Sequence, residues 1–351
     1  MNIRRIQKTG TSTMTVSLPK EWISGRGLKA GDPVSIEPLS DGKLVIDPSV
    51  EKKEKKRSTT IVVDRDESED HLSRKLIGAY LAGYGDIQIR SKPGDRIPLE
   101  LKRAVKEFSN MVIGPEVIEE TSESIVLHDL SDPTELPQRK CVKRMQLIVA
   151  SMHSDAIAAF EAGDETLASD VVFRDSEVDR LYWMVAKQYN MILADSRLVE
   201  RIGIEAYEGL SLMLVARALE RIGDHAEKIA KNALVAVRGE KKSATDKEVA
   251  ELSSSSLRIL DGSMNAFFTW DIGAANSAID RGNVLVQECE KLLSTMRTSS
   301  EAEAVTKTTV LDSIMRTVML AIDIGETAIN GAMRKEATDA KMPMRKHDGD
   351  S

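Results

Sequence analysis

Apolar and polar positions alternate with period two along Thr13–Leu18, TMTVSL, the pattern of a strand with one sheltered face. IRRIQK precedes it across the turn TGTS, so a hairpin is expected here. PKEWISGRG predicts a short helix, with Pro19 suited to its first turn and Gly25 or Gly27 to its end. GDPVSIEPLSDGKLVIDP predicts a second hairpin, in which Asp41-Gly42 supplies the positive φ of a tight turn. Four short strands and one helical turn cannot bury a self-sufficient core, and a second copy of the module is the simplest completion.

A charged linker at about 49–58 leads to a different rhythm. TTIVVD and DIQIR read as strands, and SEDHLSRKLIGAYLAGYG and IPLELKRAVKEFSN as helices. VIGPEVIEETSESIVLHDL reads as a hairpin. This β-α-β-α-β-β order predicts a small α/β unit over 59–132. It shows no phosphate-binding glycine loop and no catalytic constellation, and His71 and His128 read as isolated surface residues. The unit is expected to act as a spacer or dimer platform.

Beyond Pro133 the period becomes helical. Helices are expected over 136–162, 165–190, 197–236, 248–270, 273–297 and 303–333. Short breaks between long helices predict antiparallel neighbours. RIGDHAEKIAKNA is echoed by RTVMLAIDIGETAIN, so two three-helix units are expected, at 133–238 and 248–335. Residues 336–351 lack an apolar face and are expected to be disordered.

Composition sharpens this picture in two places. The net charge of −7 is uneven, since residues 1–57 hold 12 Lys and Arg against 7 Asp and Glu, and the rest 37 against 49. A basic head on an acidic body aims only the head at a polyanion. The two cysteines, Cys141 and Cys289, form no CxxC pair and read as buried apolar residues of a cytoplasmic protein. No apolar run approaches the roughly 20 residues needed to span a bilayer, and the first residues do not read as a signal peptide.

The candidate chemistry lies in RALERIGDHAEKIAK. Glu220, Asp224 and Glu227 share one helix face, and Ile222, Ala226 and Ile229 lie opposite. Ion pairs from Asp224 to Lys228 and from Glu227 to Lys231 would make this an ordinary solvated face. However, Asp175 and Asp179 repeat the same spacing in FRDSEVDRL. Antiparallel packing of the two helices would bring four carboxylates together, a donor set for a hard cation. His225 stands five residues after Glu220, outside the Glu-x-x-His spacing of carboxylate-bridged dimetal enzymes. That favours a bound metal over redox catalysis, and the chain is expected not to be an enzyme.

Two resemblances follow from these residues. TGTSTMTVSLPKEW with GLKAGDPVSIEPLSDGKLVIDP resembles the AbrB/SpoVT family of swapped-hairpin DNA-binding domains over residues 1–48. The likeness implies an intertwined homodimer whose basic surface docks on DNA, drawing here on Arg4, Arg5, Lys8, Lys20, Arg26 and Lys29; a pure dimerisation clasp is the alternative. LERIGDHAEKIA and DSEVDRL resemble the acidic motifs of the PhoU family, with the likeness running from about 140 to 333. The combination is similar to archaeal PhoU-related phosphate-uptake regulators. It implies all-α tandem three-helix bundles and a metal such as iron, zinc, manganese or magnesium, held by Asp175, Asp179, Glu220 and Asp224. It also implies association with the ATPase subunit of an ABC phosphate transporter. Aligned on the repeat, Met315 and Met319 stand where Glu220 and Asp224 stand, and Asp280 and Val284 where Asp175 and Asp179 do. One metal site is therefore expected per chain, with the Met and aliphatic face of the second unit used for packing. The expected protein is a DNA-binding transcriptional regulator of phosphate uptake, or an adaptor that acts on the transporter directly.

Overall fold

The computed structural model describes residues 3–38, 42–48, 57–194, 196–238, 247–296 and 300–339. The chain divides into two compact units, Met1–Lys56 and Arg57–Ser351. In the first, β1 (Gln7–Thr9) and β2 (Thr13–Thr15) pair antiparallel around Gly10. They are shorter than the alternation predicted. Pro19 caps α1 (Lys20–Gly25), and the chain leaves that helix through Gly27 at φ 66°. β3 (Ser35–Pro38) and β4 (Leu44–Asp47) form the second hairpin, with Gly42 at φ 81° in its turn; Asp41 lies outside the described residues. No described residue of this module is buried. Ile3, Ile6, Met14, Ile36 and Leu44 are between 58% and 78% exposed, so a single copy leaves its apolar side chains in water.

The second unit opens with a mixed sheet of order β5-β6-β8-β7. β5 (Ser58–Val63) pairs parallel with β6 (Asp86–Ser91) through the crossover helix α2 (Glu69–Leu81). The Ser68 hydroxyl caps α2 by accepting the His71 amide at 3.3 Å. α3 (Leu99–Met111) leads to the antiparallel pair β7 (Pro115–Glu120) and β8 (Ser124–Asp129). Leu72, Leu76 and Tyr80 of α2 and Leu101 and Phe108 of α3 join Ile87, Ile89, Ile125 and Leu127 in one core. His128 is not the isolated residue expected from sequence. Register places it beside Asp86, and its Nδ1 is 2.6 Å from the Asp86 carboxylate.

The helical part comprises α4 (Gln138–Ala162), α5 (Glu165–Ala194), α6 (Ser196–Ile202) and α7 (Ala206–Arg238), then α8 (Lys247–Thr269), α9 (Ile272–Thr295) and α10 (Glu301–Asp339). α4, α5 and α7 pack as one three-helix unit and α8, α9 and α10 as a second; α7 against α10 and α4 against α8 join them. The fold is thus a small β-hairpin module, an α/β layer and tandem helical bundles. The helix expected over 197–236 is interrupted at Gly203, whose φ of 69° a helix cannot contain. The tail is helical as far as Asp339 rather than disordered from 336; residues 340–351 lie outside the described residues. Both cysteines are buried and free.

The sheet is fixed to the bundle by a buried ion pair. Lys187 of α5 contacts the Asp129 carboxylate, donates to Ser131 Oγ at 3.0 Å, and lies 4.7 Å from the Tyr80 ring centroid. Gly114, at φ 113°, leaves the room this cluster occupies, because a Cβ there would sit 2.1 Å from an Asp129 oxygen.

Candidate metal centre and basic module

α7 separates two chemistries along its length. Ile222, Ala226 and Ile229 are fully buried, and full burial of one large aliphatic side chain stabilises by about 1.5–3 kcal/mol. The opposite stripe carries Glu220, Asp224 and Glu227, half-buried or exposed. α5 runs antiparallel against it: Arg217 donates to the Tyr182 hydroxyl at 3.0 Å, and further along α7 Gly223 faces Asp175 and Val178. A Cβ on Gly223 would lie 3.2 Å from an Asp175 oxygen and 3.5 Å from Val178. Glycine here permits the close helix approach that brings the two acidic pairs together.

The electrostatics show that Asp175, Asp179, Glu220 and Asp224 occupy one field. Burial first, then Asp179, Glu227 and Asp224, push the Asp175 carboxyl up to about 7. Asp179 is raised by burial and then by Asp224 and Glu227. Glu220 is raised by burial and then Asp224, and Asp224 by burial and then Glu227. Glu227, on the expected face but not among the expected ligands, is a fifth member of the cluster; its i+3 spacing from Asp224 was the available signal. None of the four expected ligands makes a hydrogen bond or ion pair among the described residues, and Glu220 Oε2 is buried without a partner. Arg217 and Arg221 partly offset Glu220 and Asp224 through space, while the two nearby lysines pair with other acids. Lys231 pairs with Glu227 at 2.6 Å, and Lys228 reaches Asp312 at 3.7 Å instead of the expected Asp224.

Carboxylates gathered in this way are the donor type a hard cation takes, but Arg217, Arg221 and Lys231 already offset part of their charge. Among the described residues no group of three or more His, Cys, Asp or Glu side chains is placed to hold a metal ion, so the four carboxylates share a field without forming a ready coordination site. In the second unit Met315 packs against the core, whereas Met319 and Val284 are exposed at 41% and 55%; the expected packing role holds for the first of the three.

In the basic module Arg4, Arg5 and Lys8 lie on the segment leading into and through β1, Lys20 opens α1, and Arg26 and Lys29 follow it. All six are exposed, and none forms an ion pair among the described residues. No described helix is long and apolar enough to cross a membrane.

Fold and site together define a tandem three-helix protein with an acidic cluster between α5 and α7 of its first unit and a basic β-hairpin module earlier in the chain. Residues 142–233, which contain all four expected metal ligands, match the family model of the PhoU domain, and residues 7–57 match that of "Antidote-toxin recognition MazE, bacterial antitoxin". A "Phosphate-specific transport system accessory protein PhoU homolog" of Xylella fastidiosa is 26% identical over 196 residues, covering 54% of this chain and 74% of the relative. Homolog 1 of Thermotoga maritima is 28% identical over 142 residues, covering 38% of this chain and little over half, 56%, of the relative. Among solved structures, "Crystal structure of PhoU from Pseudomonas aeruginosa" aligns at TM-score 0.46 and 22% identity over 56% of this chain and 96% of that one.

Proposed function

We propose that this protein is a cytoplasmic, homodimeric transcriptional regulator of phosphate uptake, of the archaeal PhoU-related kind. Its N-terminal module binds DNA through Arg4, Arg5, Lys8, Lys20, Arg26 and Lys29. Its helical body holds a metal ion, such as iron, zinc, manganese or magnesium, at Asp175, Asp179, Glu220 and Asp224. The observation that carries the reading is the joining, in one chain, of exposed basic residues to an acidic cluster within the segment that matches the PhoU domain. The exposed Ile3, Ile6, Met14, Ile36 and Leu44 support the dimer, since a second copy would cover them.

The role assigned to the body is binding, not catalysis. A metal ion there would neutralise the four carboxylates and tie α5 to α7; the residues themselves set how close those helices stand. The relatives' names attach them to phosphate-specific transport, and the ATPase subunit of such a transporter is the docking partner this reading assigns. Docking or metal occupancy shifts the module between DNA-bound and free states only if it favours one of them.

The test is DNA affinity of the full chain for its own upstream region at two salt concentrations. Each phosphate contact contributes about 0.9 to the slope of log affinity against log salt. Changing Arg4, Arg5 and Lys8 to Ala should therefore lower affinity and flatten that slope by about 2 to 3. An unchanged affinity and slope would remove the DNA-binding reading. The adaptor would take its place, with the module serving only to dimerise the chain.

A further inference from the structure

α7 and α10 pack antiparallel along the seam between the two three-helix units. Near one end the Tyr207 hydroxyl donates to the Asn330 carbonyl at 3.2 Å, and the Arg334 guanidinium lies 4.9 Å from the Tyr207 ring centroid. Near the other end, Lys228 Nζ is 3.7 Å from Asp312 Oδ2. The repeat alignment carries α7 onto α10, so the seam has a pseudo-twofold centred near Gly223 and Val318. Positions on one side have counterparts on the other with the helices exchanged. Arg217 corresponds to Asp312, Asp323 to Lys228, and Arg221 to Arg316.

The two sides differ in their pairing. On the Lys228 side the polar groups satisfy one another, because Asp312 also takes Arg316 Nε at 3.6 Å. On the other side there is an open groove of about 340 Å³, with Leu214, Ala218, Leu320 and Ile324 in its lining. Arg217 gives one donor to the Tyr182 hydroxyl, and Arg221 and Asp323 have no hydrogen bond or ion pair among the described residues. Two guanidiniums thus line the groove with no carboxylate in hydrogen-bond contact with either, although Glu220 and Asp224 act on Arg217 through space and Arg217 also lies 5.5 Å from the Tyr182 ring centroid. The groove runs from Leu214 to Arg221, roughly 10 Å at the helical rise. Polar contacts bound it at both ends, the Tyr207 group on one side and the Lys228 group on the other. That length suits a small molecule better than a partner helix.

We propose that this groove is a binding site for a small organic oxyanion, a carboxylic acid or a phosphate ester. Arg217 and Arg221 hold the acid group, and Leu214, Ala218, Leu320 and Ile324 cover an apolar body. The planar guanidinium fork matches both kinds of oxyanion, and the volume lies in the range of small-ligand sites. Asp323 stands across the groove, where it accepts from a hydroxyl or ammonium of the same ligand. The site spans the two repeats and includes none of the four expected metal ligands, though Arg217 and Arg221 feel the charge of Glu220 and Asp224 beside them; it does not rest on the regulatory reading above.

Calorimetric titration of the full chain tests this with phenyl phosphate and phenylacetate as probes, and inorganic phosphate and benzyl alcohol as controls. At least one probe should bind saturably at one per chain, and both controls should bind at least roughly tenfold more weakly. The tighter probe then assigns phosphate esters or carboxylic acids as the ligand class. Changing Arg217 and Arg221 together to Gln should weaken that binding by roughly tenfold or more. Leu214→Glu, at an exposed position that leaves the fold intact, should do the same by placing a like charge in the groove. Asp175→Asn with Asp179→Asn should leave probe binding unchanged. The proposal is overturned if neither probe binds up to about 10 mM, or if Leu214→Glu binds as the parent does. It is equally overturned if inorganic phosphate matches phenyl phosphate and the Asp175, Asp179 variant loses both, since the anion would then sit on the metal.

Discussion

In the first three-helix unit, α5 and α7 bring Asp175, Asp179, Glu220 and Asp224 into one electrostatic field. The corresponding positions of α9 and α10 are Asp280, Val284, Met315 and Met319. Both units use close helix approach, but the glycine that permits it sits on different helices. Gly223 of α7 faces Asp175, whereas Gly282 of α9 faces Ile322 and Val318. The caps differ likewise. α4 ends on Gly163 at φ 66°, and α8 ends at Trp270, held at φ 56°. Asp164 and Asp271 then start the next helix by accepting its first amides. One plan therefore folds with or without the acids. Burial and mutual repulsion raise the acids' pKa more than Arg217, Arg221 and Lys231 lower it, so the acids weaken the metal-free fold locally. Such a departure from stable packing marks a place that binds something.

Metal removal and return should break that comparison most strongly. Loading a chelator-stripped chain with metal at about 100 times its Kd should raise the unfolding free energy by about 2.7 kcal/mol. Asp175→Asn with Asp224→Asn should abolish this gain. The stripped variant should be more stable than the stripped parent, because two repelling charges are gone. A variant that still responds to metal like the parent sinks the ligand assignment. The reverse construction sharpens it: Met315→Glu, Met319→Asp and Val284→Asp beside Asp280 should double the metal bound per chain. Unchanged stoichiometry would show that the approach at Gly223, and not the acid count, makes the site.

Glycine replacement compares the packing of the two units. In Gly331→Ala the new Cβ would lie 1.7–2.5 Å from Trp270 ring atoms, and that ring already stacks edge-on to Phe267 at 5.1 Å. We expect a loss of about 2 kcal/mol in urea unfolding, since a packed ring has little room to yield. Gly223→Ala meets the movable end of Asp175 instead, and the better helix propensity of Ala offsets about 1 kcal/mol. Its stability should change by less than about 1 kcal/mol, while metal affinity falls. Equal losses in the two variants would show that the unit interiors are equally rigid.

Much of the fold was legible because long helical periodicity survives single exceptions. Five of the six expected helices are present, with ends shifted by a few residues. The sixth was drawn through Gly203, because RLVERIGIEAY keeps its apolar spacing across the break and only backbone φ reveals it. The acidic pairs were legible from spacing, but their meeting depends on antiparallel packing that the sequence only permits. Lys187 was missed although it interrupts the apolar run YWMVAKQYNMIL, a signal that a buried charge needs a partner. His153 was missed as well. The α7–α10 groove was not legible, because it arises from pairing between repeats and from which charges are left unpaired there.

The last expected effect concerns pH, where His153 at the α4–α8 joint and Asp175 of α5 act in opposite directions. His153 of α4 is fully buried, with Nε2 3.0 Å from Ser253 Oγ and 3.5 Å from Ser256 Oγ of α8 and His225 of α7 nearby. Burial, then His225, lower its pKa from 6.5 to about 4. Between these values the unfolded chain binds the extra proton, so this contribution to stability is full above 6.5 and is lost as pH falls toward 4. Asp175 in the metal-free chain has the opposite sign. Its folded value of about 7 exceeds the ordinary 3.8, so its contribution to stability is lost as pH rises from 3.8 to about 7. Across about pH 4 to 6.5 these two slopes oppose and partly cancel in the stripped parent. Asp175→Asn should expose the histidine slope as an acid loss on the order of 2 kcal/mol. His153→Gln should leave the reverse slope, with stability rising on acidification. Urea unfolding across that window reads both, and an Asp175→Asn chain as flat as the parent would mean that His153 is not held neutral at the joint between α4 and α8.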